Sequence, residues 1–248
     1  CTAGVQRDAT PGCGMCTITG GLGGLGLCAA AQLLARGMAG VVLSSRSGHV
    51  QRNGQDGKTP LVVLSMAVVV TISDVGDAAD ALALLTCRYC SSILHAAGVL
   101  RDMLLRAMAA SDLEASFVPK AIAASHIHAI GACTPPEALA LFSSIASTFG
   151  NVGQANYAAA NAYLDGLASC RRQHGCLATS LQIPAVSGAG MSASTFGEQQ
   201  LEMIGAIRLS EFASWLLQCL TPALPSAERT QACLTPLLVE TDPARRTS

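Results

Sequence analysis

The sequence has no marked excess of charge of either sign. Its 248 residues include 15 basic and 16 acidic side chains, which gives a formal net charge of −1. It therefore lacks the basic stripe that would neutralise phosphates along a nucleic acid or hold the chain on an anionic membrane. We expect neither nucleic acid nor a membrane among its partners.

Long hydrophobic runs are also absent. Half of the residues are apolar, but the strongest apolar run, residues 61–72, is interrupted by Ser65. A helix that spans a membrane needs about 20 such residues, so no segment is expected to cross a bilayer. The apolar half is sufficient for a full core, and as a doubly wound sheet residues 1–248 would form one domain.

The first residues contain neither an initiator methionine nor the basic, apolar and small-residue sequence of a secretory signal. We interpret the chain as a piece of a longer polypeptide, with flexible ends at residues 1–14 and 241–248. Most of its 11 cysteines lie in alanine-rich or apolar stretches, where cysteine acts as a small hydrophobic residue. A reducing, cytoplasmic compartment is expected.

Two C-x-x-C pairs, Cys13/Cys16 and Cys87/Cys90, resemble the halves of a tetrathiolate zinc site. They are about seventy residues apart, far from the 15–20 of a compact zinc ribbon. Each pair precedes a predicted strand, and these strands are neighbours in the usual doubly wound order, so the sulfurs could converge. We favour packing cysteines and expect no metal.

Apolar runs alternate with helical stretches along the chain. Strands are predicted over residues 15–19, 40–44, 67–72, 92–95, 138–144 and 178–183, and helices over residues 25–35, 77–85, 107–130 and 154–174. Repetition of strand, helix and strand predicts an α/β fold, a doubly wound, Rossmann-like parallel sheet with helices on both faces. Towards the C-terminus, Ser210 is predicted to cap a helix over residues 212–220, and residues 232–239 are predicted to add an edge strand.

A glycine-rich turn follows the first predicted strand. It fits two dinucleotide-binding patterns, G-x-G-x-x-G at Gly21, Gly23 and Gly26, and T-G-x-x-x-G-x-G at Thr19, Gly20, Gly24 and Gly26. The missing side chains let backbone N–H groups and a helix N-terminus approach a pyrophosphate. Isolated matches of this kind also occur in turns that bind nothing, but here a strand precedes the turn and a helix follows it.

A serine and a tyrosine suited to carbonyl reduction lie downstream. Tyr157 comes thirteen residues after Ser144, which ends the fifth predicted strand. Tyr157 would supply a proton to the developing alkoxide, and Ser144 would polarise the carbonyl. A lysine about 4 Å from the phenol would lower its pKa by up to about three units. Taken singly, each of these residues could equally be a strand-end hydroxyl, a surface ring or a solvated charge.

In the general short-chain dehydrogenase pattern the lysine lies four residues after the tyrosine, where this chain has Asn161. Lys120, in the helical region before the fifth strand, is the alternative source of the cation. With asparagine in the usual place of the lysine and the lysine before the fifth strand, the chain resembles the ketoreductase domain of modular polyketide synthases. The resemblance covers residues 15–191 and rests on residues 19–26, 43–48, 95–102, 119–120, 142–144 and 153–165.

The resemblance implies NADPH as the reductant and, as the substrate, a β-ketoacyl thioester on an acyl carrier protein. Neighbouring synthase domains of polyketide or fatty-acid synthesis would be further partners. It implies that Tyr157 donates the proton, that Ser144 contacts the carbonyl, that Lys120 contacts the tyrosine and the ribose, and that Asn161 holds a water relay. The cofactor-binding residues so implied are Thr19, Gly20, Gly21, Leu22, Gly23, Gly24, Leu25, Gly26, Ser45, Arg46, Asp74, Val75, His95, Ala96, Ala97, Gly98, Lys120, Tyr157 and Pro184.

Arg46 follows the second predicted strand, where dinucleotide enzymes distinguish their cofactors. An acidic residue there would bind a ribose 2′-hydroxyl, whereas an arginine pairs with a 2′-phosphate. This favours NADPH over NADH, with a solvated surface arginine as the alternative. Asp74 would lie near the adenine by family analogy, although an aspartate there could also cap the next helix.

Three residues are predicted to contact the substrate or set its orientation: Asp102, Phe149 and Gln154. Asp102 resembles the end of the Leu-x-Asp motif that accompanies a 3R alcohol in this family, and Phe149 stands where the opposite class carries tryptophan. Because phenylalanine lacks the indole N–H, Asp102 is given more weight and a 3R product is expected.

The chain departs from the family after the sixth predicted strand. The family usually has Trp-Gly-x-Trp there, and this chain has Ile-Pro-Ala-Val at residues 183–186, in which Pro184 retains a rigid turn. Two other functions therefore stay open. One is a catalytically silent, ketoreductase-like scaffold domain, and the other is a free-standing short-chain reductase of small ketones.

Overall fold

The structure is a computed structural model that describes residues 14–50, 67–86, 90–191, 197–203 and 205–220. Several sequence predictions lie outside these residues. They concern Cys13 and Cys87 of the two cysteine pairs, the edge strand over residues 232–239, and the chain ends 1–13 and 241–248.

Within the described residues, six parallel strands form one sheet in the order β3-β2-β1-β4-β5-β6. The strands are β1 (Met15–Thr19), β2 (Gly40–Ser45), β3 (Val68–Ile72), β4 (Ser92–His95), β5 (Ala138–Ser144) and β6 (Ala178–Ile183). In the register, Thr19 lies between Ser44 on β2 and His95 on β4. The direction of strand succession reverses between β1 and β4, and such a switch point opens a crevice beyond the carboxyl ends of the strands.

The helices in the described part of the chain connect these strands. They are α1 (Gly24–Ala35), α2 (Ala78–Thr86), α3 (Ala110–Phe117), α4 (Ala123–Cys133), α5 (Ala146–Phe149), α6 (Ala155–Gln173), α7 (Glu198–Met203) and α8 (Leu209–Leu220). Two short strands, β7 (Val186–Ser187) and β8 (Ile207–Arg208), pair in parallel beside the main sheet. None of these helices combines the length and apolar character that a membrane span requires.

The sheet is covered by helices on both faces. Leu43 of β2 packs in one core cluster with Leu33 of α1 and Phe212 of α8, whereas its neighbour Val42 packs in a second cluster with helices α2, α4 and α6. Successive side chains of a strand point to opposite faces, so a strand buried on both sides is apolar throughout. The predicted doubly wound, Rossmann-like α/β fold is confirmed.

The helical region predicted over residues 107–130 is observed over residues 110–133. A π-helical turn, Val118–Ile122, divides it into α3 and α4, and Pro119 lies near the start of that turn. Proline has no N–H to donate and crowds the preceding turn, so the backbone widens locally. Ser210 is not the N-cap of the last helix, because α8 already begins at Leu209 and the Glu211 carboxylate accepts the Arg208 N–H at 2.6 Å.

Candidate active site

A cleft with a volume of about 510 Å³ lies at the carboxyl edge of the sheet, above the switch point between β1 and β4. Loops that follow β1, β2, β3 and β4 contribute to its walls. The predicted cofactor residues that line it are Gly20, Leu22, Gly23, Gly24, Leu25, Gly26, Ser45, Arg46, Asp74, Val75, Ala96, Ala97 and Gly98. The size and position suit a dinucleotide.

The glycine turn packs so closely that side chains would not fit. Gly20 has φ 67°, and a Cβ there would lie 2.6 Å from the backbone nitrogen of Ala97. A Cβ on Gly26 would lie 2.7 Å from the carbonyl oxygen of Gly20. Helix α1 has no side-chain cap at Gly23 and no acidic residue in its first turn. Its N-terminal N–H groups and dipole therefore favour an anionic group in the cleft.

The exposed Arg46 side chain lies at the end of the cleft formed after β2, together with Ser45, Ser47 and His49. Gly48 adopts φ 68° and donates its N–H to Ser45 Oγ at 3.0 Å. This turn brings His49 back to the cleft wall. Sequence reasoning missed His49, although the glycine that follows Ser47 is the signal that could have revealed the turn.

Asp74 also lines the cleft, and its carboxylate accepts the Gly76 N–H at 3.0 Å. The next helix, α2, is capped by Asp77, which accepts the N–H groups of Ala79 and Asp80 at 2.9 and 3.0 Å. The capping role considered for Asp74 therefore belongs to Asp77. Asp74 closes the turn between β3 and α2 and faces the cleft.

The remaining predicted cofactor residues are not among those that line the cleft: Thr19, Gly21, His95, Lys120, Tyr157 and Pro184. Gly21 donates its N–H to Ser44 O at 3.0 Å, which ties the glycine turn to β2. Gly190 and Met191 do line the cleft and were not among the predicted residues. They lie after β7, beyond the segment in which the chain departs from the ketoreductase pattern.

His95 is fully buried and connects three elements of the site. Its Nδ1 lies 2.7 Å from Thr19 Oγ1, and its Nε2 lies 3.0 Å from the carbonyl oxygen of Lys120. Because that carbonyl can only accept, the proton is on Nε2 and Nδ1 accepts from the threonine hydroxyl. Burial, reinforced by the charge of Lys120, lowers the pKa of His95 to about 4. Near neutral pH the histidine is therefore an uncharged link between these elements.

This arrangement predicts a specific acid sensitivity. The folded pKa of His95 is about 4 against an ordinary value of 6.5, so the unfolded chain binds the proton first as the pH falls. The contribution of His95 to the free energy of unfolding is complete above pH 6.5 and is lost as the pH falls towards 4. The total loss is about 3 kcal/mol. Denaturant unfolding at pH 7 and pH 5 should show a steeper loss of stability in the wild type than in His95→Gln. The exposed His174→Gln variant should keep the wild-type slope.

Lys120 lies in the π-helical turn and is buried. Its Nζ donates to Phe142 O at 2.6 Å and lies 5.4 Å from the centroid of the Tyr157 ring. A Cβ on Gly98 would lie 2.8 Å from Lys120 Cε, so the glycine leaves room for the lysine chain. Burial lowers the pKa of Lys120 to about 7, against the opposing charge of Asp165. Both protonation states are therefore accessible near neutral pH.

Tyr157 lies in the first turn of α6, and its surroundings affect the phenol in opposite directions. Burial raises the pKa of Tyr157, hydrogen bonding to the Asn161 and Ser144 side chains opposes this, and the charge of Asp102 raises it further. The expected lowering of this pKa by Lys120 was wrong for this arrangement. Desolvation of the phenolate dominates, and the ammonium donates to Phe142 O rather than to the phenol.

Asn161 lies one turn after Tyr157 and is buried. Its Nδ2 donates to Tyr157 O at 2.8 Å, and Ser143 Oγ donates to its backbone carbonyl at 3.3 Å. Within the described residues, its Oδ1 is buried without a hydrogen-bond partner. A buried acceptor of this kind is usually satisfied by an ordered water, which fits the expected water relay.

The loop after β4 is held against the start of α6. Gln154 Nε2 donates to Asp102 Oδ2 at 3.2 Å, and the Met103 N–H donates to Gly153 O at 2.8 Å. Buried Asn156 donates through Nδ2 to the carbonyls of Arg101 and Asp112, both at 2.9 Å. These contacts place Asp102 near Tyr157. Asn156 was not predicted, because its role depends on which loop folds over it.

Phe149 ends α5 and is 69% exposed, so its ring belongs to the surface rather than to the core. In the described part of the chain, no group of three His, Cys, Asp or Glu side chains is arranged to hold a metal ion.

Comparisons with known proteins agree with this geometry. A family model described as the KR domain matches residues 14–188. The chain is 34% identical over 249 residues to the spectinabilin polyketide synthase system protein NorB of Streptomyces orinoci, an alignment that covers 91% of this chain and 11% of that protein.

Two solved structures are similar in both fold and sequence. One, described as the structure of A-type ketoreductases from a modular polyketide synthase, gives a TM-score of 0.69 at 33% identity and covers 84% of this chain and 45% of that one. The first ketoreductase of the tylosin PKS gives a TM-score of 0.71 at 31% identity and covers 87% of this chain and 48% of that one. The chain thus spans less than half of each solved structure and about a tenth of the curated relative.

Proposed function

We propose the function of this chain from its family: it belongs to the KR domain family of polyketide synthases, and hence to the short-chain dehydrogenase/reductase oxidoreductases that reduce β-keto intermediates. In this proposal it uses NADPH to convert a β-ketoacyl thioester into the β-hydroxyacyl thioester. The observation that carries this proposal is the grouping of Lys120, Ser144 and Asn161 around Tyr157 beside the dinucleotide cleft.

The cleft fits the proposed cofactor. The glycine turn and the N-terminus of α1 would bind the pyrophosphate, since side chains are excluded there and the helix end favours an anion. Arg46 would pair with the 2′-phosphate, and Asp74 and Val75 would lie beside the adenine. When bound, NADPH supplies the hydride that reduces the carbonyl carbon.

The protein supplies the proton and stabilises the charge. Ser144 Oγ accepts the Ala146 N–H at 3.2 Å, so its own hydroxyl proton is available to the substrate carbonyl. Tyr157 donates a proton to the alkoxide oxygen, and the ammonium of Lys120 stabilises the resulting tyrosinate. The open acceptor of Asn161 holds a water through which Tyr157 regains its proton.

The substrate would arrive on an acyl carrier protein, with the chain acting as one catalytic domain of a larger synthase. Similarity to a polyketide synthase protein along nearly the whole chain supports this assembly. The 3R alcohol is proposed from Asp102, whose loop is fixed to α6 beside Tyr157.

The direct test is NADPH oxidation by the purified chain with a β-ketoacyl N-acetylcysteamine thioester, followed by chiral analysis of the product. Thioester-dependent oxidation with a 3R alcohol is expected. A 3S product would overturn the role given to Asp102 but not the reaction. A folded chain that binds no NADPH would instead support the silent scaffold, which the departure at residues 183–186 allows.

Cofactor choice provides a separate prediction. Arg46→Gln should weaken NADPH binding by roughly tenfold, the effect of losing one partly exposed charged contact to a phosphate. Binding of NADH, which has no 2′-phosphate, should stay within about twofold. The Kd values can be measured by cofactor fluorescence. The charge-matched control is Arg36→Gln, which lies at the C-terminal end of α1, away from the glycine turn. Equal weakening of NADPH and NADH binding would show that Arg46 does not read the 2′-phosphate.

A further inference from the structure

We propose that Asp165 is a positioning residue for this reaction, which holds the turn that carries Ser144. The inference rests on the proposed function. It concerns a side chain on α6, eight residues after Tyr157, that does not line the cleft.

Asp165 joins three elements through hydrogen bonds. Its Oδ1 accepts from Ser180 Oγ at 2.5 Å, and its Oδ2 accepts from Ser147 Oγ at 2.6 Å and from Gln182 Nε2 at 2.9 Å. Ser180 and Gln182 belong to β6, and Ser147 belongs to α5. All three of these groups donate to the half-buried carboxylate, so its two oxygens join α6 to both β6 and α5.

This contact extends to the reaction centre through Ser147. Ser147 Oγ also lies 2.8 Å from Ser144 O, and Gln182 Nε2 lies 3.1 Å from Ser147 Oγ. The four-residue helix α5 begins two residues after Ser144, so its position sets the direction of the Ser144 hydroxyl. By fixing Ser147 against β6, Asp165 fixes the turn from which Ser144 reaches the carbonyl.

The second effect is electrostatic. Burial favours the neutral amine of Lys120, and the negative charge of Asp165 opposes this by raising the lysine pKa. A neutral amine could not stabilise a tyrosinate. An uncharged residue at position 165 should therefore leave a smaller fraction of Lys120 protonated at any given pH near neutrality.

Other titratable groups lie on the elements that pack around the π-helical turn. His95 on β4 is neutral near pH 7 and donates to Lys120 O. On α3, Asp112 is bonded to Arg101 and Glu114 is exposed, and on α4 the His126 ring contacts Val75 O. From α6, the Tyr157 ring lies against the lysine, and the negative charge of Asp165 raises the pKa of Lys120.

The test is Asp165→Asn, which retains the shape of the side chain and removes the charge. We expect kcat for the thioester to fall roughly 10- to 100-fold, as for misplacement of a reacting group, with the NADPH Kd within about twofold of wild type. Because activity requires protonated Lys120, the decline of kcat at alkaline pH should begin at a lower pH in the variant. A purely structural role would not move this limb of the pH profile.

Two further variants separate the two effects. Ser147→Ala breaks the link to Ser144 but keeps the carboxylate, so kcat should fall without a shift of the alkaline limb. Glu137→Gln changes the net charge equally at an exposed position before β5, at the opposite edge of the sheet, and should show the wild-type profile.

An active wild type with an unchanged kcat and pH profile in Asp165→Asn would overturn this inference alone. A fall in kcat with an unmoved alkaline limb would exclude the effect of Asp165 on the charge of Lys120, and the kcat of Ser147→Ala would then decide the positioning role. If Asp165→Asn does not fold, a wild-type kcat in Ser147→Ala would overturn the positioning role. A wild type that binds NADPH but reduces no thioester would instead overturn the proposed function, and this inference with it.

Discussion

Replacement of Tyr157 by phenylalanine is expected to lower kcat for thioester reduction by roughly 10²- to 10⁴-fold, the range for removal of a general acid. The ring of the variant can keep its place above Lys120, whose Nζ lies 5.4 Å from its centroid. The alkoxide would then form without a proton donor. NADPH binding should stay within about twofold of wild type, because Tyr157 lies outside the lining of the cofactor cleft.

Single-turnover kinetics with saturating NADPH would measure this effect on the chemical step. Tyr163→Phe is the matched control, because it also removes a tyrosine hydroxyl from α6. The Tyr163 hydroxyl contacts Ser125 Oγ at 2.6 Å rather than the reaction centre. Its kcat should be close to that of wild type. Comparable turnover in Tyr157→Phe and wild type would exclude Tyr157 as the proton donor.

The second large effect is expected at Gly20, where the chain has φ 67° and a new Cβ would lie 2.6 Å from the Ala97 nitrogen. In Gly20→Ala the left-handed backbone alone should cost about 1–2 kcal/mol. Displacement of the β4 loop should add about 1–3 kcal/mol. The displaced residues also line the cofactor cleft, so NADPH binding should weaken as the free energy of unfolding falls.

Gly37→Ala provides the control for this change. Gly37 has φ 88°, but a Cβ there would meet nothing within 4 Å. The variant should therefore show the backbone cost without the clash and should bind NADPH normally. Denaturant unfolding and cofactor titration of both variants would separate the two contributions. Equal losses of stability in Gly20→Ala and Gly37→Ala would mean that a clash between position 20 and Ala97 does not destabilise the fold.

The sequence predicted the parts of the fold that depend on local pattern. Strands buried on both faces are largely apolar, so β1, β2, β4 and β5 could be found as short apolar runs. The glycine turn was recognisable because its steric demands exclude other residues at Gly20 and Gly26. Both signals lie within a few consecutive residues.

What escaped prediction depends on contacts between distant positions. The π-helical turn at Val118–Ile122, the placement of His49 and the hydrogen bonds of Asp165 follow from packing between elements rather than from spacing. The direction of the Tyr157 pKa was also misjudged, because a charge–charge estimate ignored the larger cost of burying the phenolate. Ser144 and Tyr157 were proposed from their order along the chain, whereas the role of Asn161 came from the resemblance to a known family.

Because Lys120 lies in the π-helical turn, its distance from Tyr157 is not fixed within a single helix. Two side chains one turn apart on a single helix keep a spacing that the helix itself fixes. Here Lys120 belongs to the junction of α3 and α4, and Tyr157 belongs to α6, so their spacing is set by how separate helices pack. A substitution that wedges these helices apart would move the lysine from the phenol while every helix stayed folded. The proposed reductase activity would thus report small shifts in helix packing that circular dichroism would not detect.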